Sequence, residues 1–377
     1  MKNLPRLVSC AALFSVLLTF NAVAQEILIG QVAPLSGVLG DTGKEMVLGV
    51  KVYFDHINAK GGISGKKIKH IVKDDAYVVA DTVRLTKEII EKDRVVALIG
   101  FAGTGNVGEL LKQNVLADAR IALVAPYTGG ESLRNPFNPN IFHIRAGYAD
   151  EAEEMVKQLD RQGIKRIAVM YQDDPFGKSG LAGVEAALKK RDLPLVASAG
   201  YEKNTDNVAE AVKIIAGALP QAVIMISVNK STGAFIRQFR DAAPGVQLFN
   251  ISVVNPKELA RLAGEDKARG VGIAQVMPYP YSPAVAVVNE YRQLMAKYAP
   301  GKELSYTSLE EFIGAKVLVE GLRKAGANPT RQKIINALAT LRKYDVGGFT
   351  VSFSPDNRIG SRFVEVTIIG KNGVLQR

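Results

Sequence analysis

Residues 27–72 open with Ile27-Leu28-Ile29-Gly30-Gln31-Val32 and close with Ile68-Lys69-His70-Ile71-Val72, two β-branched runs of strand length. Between them Met46, Val50, Tyr53, Phe54 and Ile57 recur at spacings of three and four, which predicts a helix over 43–59. Gly61-Gly62 follows as its stop signal. A strand, a helix and a second strand in some 45 residues form a unit that joins parallel strands, since the crossover needs about a dozen residues or more.

The pattern continues outward. Strands are predicted at Val95–Gly100 and Ile121–Val124, and helices at 80–93 and 105–117, with Asp81 and Asn106 near their starts. A second series follows, with strands at Arg166–Met170, Leu195–Ala199, Ala222–Ile226 and Gln247–Asn250 and helices at 177–191, 206–217 and 230–242. In the first of these helices Leu181, Val184 and Leu188 form the apolar stripe. Such alternation predicts an α/β protein with two parallel sheets, each covered by helices on both faces. After a strand at Val271–Val276 the rhythm breaks. Helices are expected near 283–298, 307–325 and 330–341, then strands at Gly348–Ser352 and Arg362–Ile369. The chain therefore returns to decorate two lobes already built, crossing between them more than once.

The amino terminus reads differently. Lys2 and Arg6 precede an apolar run from Leu7 to Phe20, and Ala22-Val23-Ala24 offers small residues at a cleavage site. This is the layout of a secretory leader, residues 1–24, with the mature chain starting at Gln25 outside the cytoplasm. Leu7-Val8-Ser9-Cys10 resembles a lipobox, but the apolar stretch follows the cysteine instead of preceding it. Cys10 is the only cysteine and leaves with the leader, which excludes thiol catalysis, disulfides and zinc–thiolate sites from the mature chain.

Loss of Lys2 and Arg6 lowers the net charge of +11 by two. The remaining excess is scattered. Lys189-Lys190-Arg191 and Lys66-Lys67 with Lys69 lack the interleaved aromatic residues of a nucleic-acid platform, so no nucleic-acid partner is expected. No run after residue 25 is apolar enough to span a bilayer.

In open α/β sheets ligands sit beyond the carboxyl ends of the strands. That rule nominates Pro34 to Gly37, Asp74 to Tyr77, Phe101 to Gly105 and Pro126 to Gly130 in the first lobe. In the second it nominates Tyr171 to Phe176, Tyr201 to Lys203, Ser227 to Ser231 and Ile251 to Asn255. The first set is rich in hydroxyls (Ser36, Thr104, Thr128) and glycines, and two of its loops open helices, whose free N–H groups suit a carboxylate.

Other motifs fail on spacing or context. Gly103-Thr104-Gly105-Asn106-Val107-Gly108 matches G-x-G-x-x-G, but it follows the third strand and the next strand ends without the acid that a ribose requires. Gly177-Lys178-Ser179 resembles a P-loop end, yet Gln172 stands where its first glycine belongs. His56, His70 and His143 belong to no metal pattern, and no cofactor or metal is expected. Asp74-Asp75 and Asp173-Asp174 are paired acids that read as caps and turns, Asp174-Pro175 being a turn starter.

Several longer segments carry a resemblance. They are Ile29 to Gly37, Ile57-Asn58-Ala59-Lys60-Gly61-Gly62-Ile63-Ser64-Gly65-Lys66-Lys67-Ile68, Asp74-Asp75, Ala125 to Glu131, and Tyr171-Gln172-Asp173-Asp174-Pro175-Phe176-Gly177. In this order they resemble the periplasmic substrate-binding proteins of ABC transporters, in the branched-chain amino-acid (leucine/isoleucine/valine-binding) group. The resemblance covers the whole mature chain. It implies the type I periplasmic binding fold: two Rossmann-like lobes, 25–145 plus 277–345 and 146–276 plus 346–377, joined by three hinge crossings. It implies a monomer that traps a small carboxylate-bearing ligand between the lobes and delivers it to a permease in the inner membrane, with no catalysis.

Carried onto this sequence, the resemblance assigns the ligand's carboxylate to Ala102, Gly103, Thr104, Tyr127, Thr128 and Gly129. Thr42, in the loop after Ser36, lies near the family's side-chain contact, and Ser36 is counted with the ligand-binding hydroxyls. Tyr171, Phe176, Ser227, Asn229 and Val253 close from the second lobe. One departure stands out. Amino-acid binders of this group place an acid in a second-lobe loop, and Asn250-Ile251-Ser252-Val253-Val254-Asn255 carries none. Asp173, Asp174 or Glu202 would have to substitute, or the ligand is a carboxylate without an ammonium group. The rival classes are a ligand-sensing subunit for a membrane receptor and a secreted hydrolase with a carboxylate pair.

Overall fold

The computed structural model describes residues 26–376. The leader 1–24 with its cleavage site, Cys10 and Arg377 lie outside the described residues.

The first sheet is wholly parallel, in the order β2-β1-β3-β4-β5. Its strands are β1 (Ile27–Ala33), β2 (Ile68–Asp74), β3 (Ala97–Ile99), β4 (Leu123–Val124) and β5 (Ile141–Phe142). The second sheet runs β14-β13-β10-β9-β8-β6-β7. It contains β6 (Ile167–Gln172), β7 (Leu195–Tyr201), β8 (Ala222–Ile226), β9 (Gln247–Asn250) and β10 (Gly272–Gln275), all parallel, with β13 (Glu365–Ile369) and β14 (Leu375–Gln376) added antiparallel. A separate ribbon pairs β11 (Tyr344–Asp345) with β12 (Thr350–Val351). The chain passes between the sheets three times: after β5, after β10 and before β13.

The buried, β-branched strands Ala97–Ile99 and Ala222–Ile226 are apolar on both faces, as parallel strands between helical layers must be. The differences from the sequence reading are local. The expected strand 95–100 shrinks to three residues, and the helix expected over 105–117 divides into Thr104–Lys112 and Val115–Asp118 because Asn114 adopts a left-handed φ of 55°. The helix Tyr148–Arg161 and the strand β5 were not anticipated, although Tyr148, Ala152, Met155, Val156 and Leu159 form a buried helical stripe.

A lobe boundary also moves. Residues 346–360, expected with the second lobe, belong to the first: Val346, Phe349, Val351 and Phe353 are buried with Phe142, and Phe353 meets Phe142 edge-on at 5.2 Å. Backbone bonds from His143 N–H to Arg358 O (2.9 Å) and from Gly360 N–H to His143 O (2.7 Å) fix this segment beside β5. Aromatic burial against Phe142 keeps the chain in the first lobe beyond residue 345.

Helix Tyr306–Ala325 lies in the core of the first lobe and carries two fully buried acids, Glu310 and Glu311. Glu311 reaches over Gly100, where a Cβ would stand 2.4 Å from Gln31 Nε2 and 2.5 Å from Glu311 Oε2. Gly100 has φ +61°, so the glycine serves both the backbone turn and the close approach. Neither oxygen of Glu311 has a hydrogen-bond partner, nor has Gln31 Oε1. Burial, and next to it the Glu310 charge, push the Glu311 carboxyl well above its ordinary range despite the opposing Arg145. The folded protein therefore holds this proton to higher pH than the unfolded chain does. The stability so gained is complete below the unfolded value of about 4.3 and is lost as pH rises through the raised folded value. Glu311→Gln, which keeps the shape and removes the charge, should flatten the dependence of Tm on pH between about 5 and about 9. Circular-dichroism melts should place its Tm about 2 °C or more above the parent at the alkaline end; equal slopes would show that Glu311 ionises freely.

Candidate functional site

The loops at the carboxyl ends of both sheets face one another. Leu39, Tyr77, Ala102, Gly103 and Tyr127 from the first lobe meet Tyr148, Phe176, Val228 and Val253 from the second side, and they close on a cavity of about 20 Å³. That is room for little more than a water molecule. The loops of the two lobes are in contact around it.

Each wall has a local cause. Tyr77 is delivered by two consecutive left-handed residues, Ala76 (φ 47°) and Tyr77 (φ 65°), a costly backbone for side-chain-bearing residues. Two acids hold it: Asp74 Oδ1 accepts from Ala76 N–H (2.8 Å) and Asp75 Oδ1 from Tyr77 N–H (3.0 Å). Gly103, at φ 95°, leaves the space that the Tyr77 ring fills, since a Cβ there would lie 2.6 Å from it. Helix Thr104–Lys112 starts at Gly103 with no side-chain cap, so its amino end faces the cavity rim. Thr104 Oγ1 and Thr128 Oγ1 are 2.7 Å apart, and Thr128 Oγ1 also receives Gly130 N–H (3.1 Å) and Tyr148 O–H (3.4 Å). Gly129 O accepts Tyr148 N–H (2.9 Å), which seats the Tyr148 ring under Phe176, edge-on at 5.4 Å.

Below the rings lies a charged group with no exposure at all. Arg145, in the first crossing, pairs through Nη2 with Glu151 (3.3 Å) and through Nη1 with Glu310 (3.4 Å), and donates to Ser252 Oγ. Ser252 in turn gives its N–H (2.7 Å) and O–H (2.9 Å) to Glu151. Burial alone would depress the guanidinium, yet Glu310 and Glu151 outweigh it and hold the pKa above its ordinary value. Burial raises Glu310 to about 7 against the pull of Arg145. The guanidinium carbon sits 5.1 Å from the Tyr127 ring centroid and 6.0 Å from that of Tyr148.

The cavity brings together Ala102, Gly103, Tyr127, Phe176 and Val253, with Thr104, Thr128 and Gly129 directly behind. It leaves out others. Ser36 is exposed at the rim and bonds to Asp74. Tyr171 turns to the opposite face of β6, against Gly200, while Gln172 Nε2 reaches Tyr77 Oη at 3.4 Å. Ser227 is buried within the second lobe against Asn250 Oδ1 (3.2 Å). Thr42 and Asn229 contact each other between the lobes (3.5 Å) beside a second cavity.

None of the acids offered as substitutes lines the cleft cavity. Asp173 is exposed and pairs with Lys178 (3.0 Å). Asp174 Oδ1 caps helix Pro175–Lys189 through Phe176 and Gly177 N–H, while Oδ2 accepts from Gln172 (2.9 Å) and faces Lys203 (3.8 Å). Glu202 is exposed. Val228 lies within the nominated loop Ser227 to Ser231, while Leu39, Tyr148, Arg145, Glu151 and Glu310 were missed; the stripe of the helix that begins at Tyr148 was the readable signal for two of them.

The histidines take no part in the cavity. His70 is held neutral by burial, its pKa pushed down to about 4, and buried His143 lies well below its ordinary value. Among the described residues no group of three or more His, Cys, Asp or Glu is placed to hold a metal ion, and no helix is long and apolar enough to cross a membrane.

A family model for the periplasmic binding proteins matches residues 26–372, and the chain belongs to that family. It is 25% identical over 319 residues to the Leu/Ile/Val-binding protein homolog 7 of Brucella abortus (strain 2308), covering 79% of this chain and 77% of the relative. Among solved structures it resembles a substrate-binding periplasmic protein from Ralstonia solanacearum (TM-score 0.89, 38% identity, 93% of this chain and 99% of that one). It also resembles a possible leucine/isoleucine/valine-binding protein from Rhodopirellula baltica SH 1 (TM-score 0.89, 29% identity, 94% and 96%). The protein is thus a periplasmic binding protein, and the proteins it resembles are substrate-binding proteins, not enzymes.

Arg145→Met keeps most of the volume and leaves Glu151 and Glu310 buried without their cation. Urea unfolding should show a loss of about 3–5 kcal/mol. A loss below about 1 kcal/mol, the range of an exposed pair, would show that the network carries little.

Proposed function

We propose that this binding protein, exported by its leader, captures a small carboxylate with an apolar or aromatic body and no ammonium group. It then presents the closed form to an ABC permease in the inner membrane. The observation that carries the reading is the wall of the cleft cavity, which is made of aliphatic side chains, glycine, phenylalanine and tyrosines and holds no acid. An ammonium brought there would lose its hydration and find no counter-charge, which costs several kcal/mol. The uncapped start of helix Thr104–Lys112, with Ala102, Gly103, Thr104, Tyr127, Thr128 and Gly129 around it, offers N–H and O–H donors to a carboxylate. Tyr148, Phe176, Val228 and Val253 would grip the body.

Closure is the second half of the proposal. The lobes already meet through Lys203 Nζ to Asn106 Oδ1 (2.9 Å), Asn255 Nδ2 to Glu45 Oε1 (2.7 Å) and Glu131 N–H to Ser179 Oγ (3.1 Å). These contacts break when the lobes part, and a ligand that bridges both walls shifts the population back toward the closed form.

A thermal-shift panel separates the choices, because a ligand at 100 times its dissociation constant adds about 2.7 kcal/mol. Phenylacetate, benzoate or isovalerate should raise Tm, and leucine, valine and phenylalanine should not. If the amino acids shift melting and their des-amino counterparts fail to, the ligand class is wrong. Small-angle scattering with the best ligand should show a smaller radius of gyration than without it; an unchanged radius with binding confirmed would contradict closure.

A further inference from the structure

A larger cavity opens on another side of the junction between the lobes, apart from the cleft. It measures about 290 Å³ against the 20 Å³ of the cleft cavity, close to the lower end of small-molecule sites. Its aromatic wall comes from the second crossing, Pro278-Tyr279-Pro280-Tyr281-Ser282-Pro283. Pro280 and Tyr281 form a tight turn closed by Ser282 N–H to Tyr279 O (3.2 Å), with proline at the position where its fixed φ suits the turn, and the turn brings Tyr279 and Tyr281 together. Their ring centroids are 5.2 Å apart and inclined by 60°, and Tyr306 adds a third ring 6.4 Å from Tyr279 at 58°. Pro256 and Val374 of the second lobe face these rings across the space.

The cavity shares Asn255 and Lys257 with a neighbouring polar cavity of about 280 Å³ that holds Asp41, Glu45, Glu258 and Glu303. Three of these acids are matched: Asp41 by Lys44 (3.2 Å), Glu258 by Arg261 (2.5 Å) and Glu303 by Lys257 (3.4 Å). Glu45 differs. It is largely buried, and its bonds come from neutral groups, Ser305 Oγ (2.9 Å) and Asn255 Nδ2 (2.7 Å). Among the described residues it forms no ion pair. Both of those partners line the tyrosine cavity, so Glu45 stands one hydrogen bond behind its wall, in the adjoining polar cavity. The outer face already accepts a cation: Lys257 Nζ lies 5.5 Å from the Tyr281 ring centroid.

We propose that this cavity is a second binding site, for a small organic ammonium ion with an apolar or aromatic body. The tyrosine faces attract the cation and pack its body, and Glu45 supplies the missing charge. Its walls come from both lobes and from the crossing between them, so an occupant favours the closed arrangement.

Phenethylammonium is the probe, titrated calorimetrically into the full mature chain, with 3-phenylpropanoate as the anionic counterpart. Tyr281 is half-buried, so Tyr281→Leu should fold, and far-ultraviolet circular dichroism checks it. The amine should bind, and both Tyr281→Leu and Glu45→Gln should weaken it by about tenfold, the scale of a desolvated cation–π contact. Phe176→Ala, in the cleft, should leave the amine's affinity intact. Three results would overturn the proposal: no binding of the amine at millimolar concentration to folded protein; binding lost in Phe176→Ala and kept in Tyr281→Leu, which puts the amine in the cleft; or 3-phenylpropanoate binding as tightly and losing affinity in Tyr281→Leu, which makes this an anion site served by Lys257.

Discussion

The fully buried Arg145 is the constraint on which the arrangement of this protein depends. A guanidinium without solvent must be surrounded by carboxylates and hydroxyls at fixed distances, and here these come from different parts of the molecule. Glu310 stands on the central helix of the first lobe, Glu151 on the first helix after the crossing, and Ser252 on a loop of the second sheet. Meeting the needs of one side chain therefore fixes the relation of the first crossing to both lobes. The same guanidinium lies beneath Tyr127 and Tyr148, so the floor of the cleft is set by electrostatics and its surface by aromatic rings. Two acids around one cation leave an excess negative charge, and burial relieves it by raising Glu310 toward neutrality.

Much of this architecture was legible in the sequence because parallel α/β structure writes two periods into the chain. The run Ile27–Val32 and the stripe Met46, Val50, Tyr53, Phe54, Ile57 are each unambiguous in length and spacing, and the observed strand and helix follow them closely. What could not be read was decided by packing over long separations. Arg358 and Gly360 pair with His143, more than two hundred positions earlier, and nothing local announces it. The two-residue strands β4 and β5 owe their existence to neighbours already in place.

The site shows the same division. The strand-end rule picks loops that the structure brings together around one cavity, but it does not say which side chains turn inward. Alternation along β6 sends Gln172 toward the cleft and Tyr171 away, and a one-residue difference in register decides between them. Tyr77 points inward only because Asp74 and Asp75 hold a left-handed pair of residues, a conformation that its sequence neighbourhood does not advertise. Buried polar groups are the least legible of all. Glu310 and Glu311 lie in a helix with apolar neighbours, where surface acids and core acids have the same letter.

Charge around the cleft is present but almost everywhere spent. Arg145 is matched by Glu151 and Glu310, and Asp174 is committed to a helix cap, Gln172 and Lys203. A charge so engaged adds little to the potential inside the cavity, because its field is cancelled within a few ångströms by its partner. What remains unmatched is the amino end of helix Thr104–Lys112, whose cap residue is a glycine with no side chain to answer it. For the carboxylate proposed as ligand, partial positive charge at that end, beside rings whose faces repel anions but whose edges tolerate them, would leave one orientation: head toward the helix, body toward Phe176 and Val253. Selectivity in such a site follows from the one pole left unpaired, and the paired charges serve to hold that pole and the opposing wall at a fixed separation.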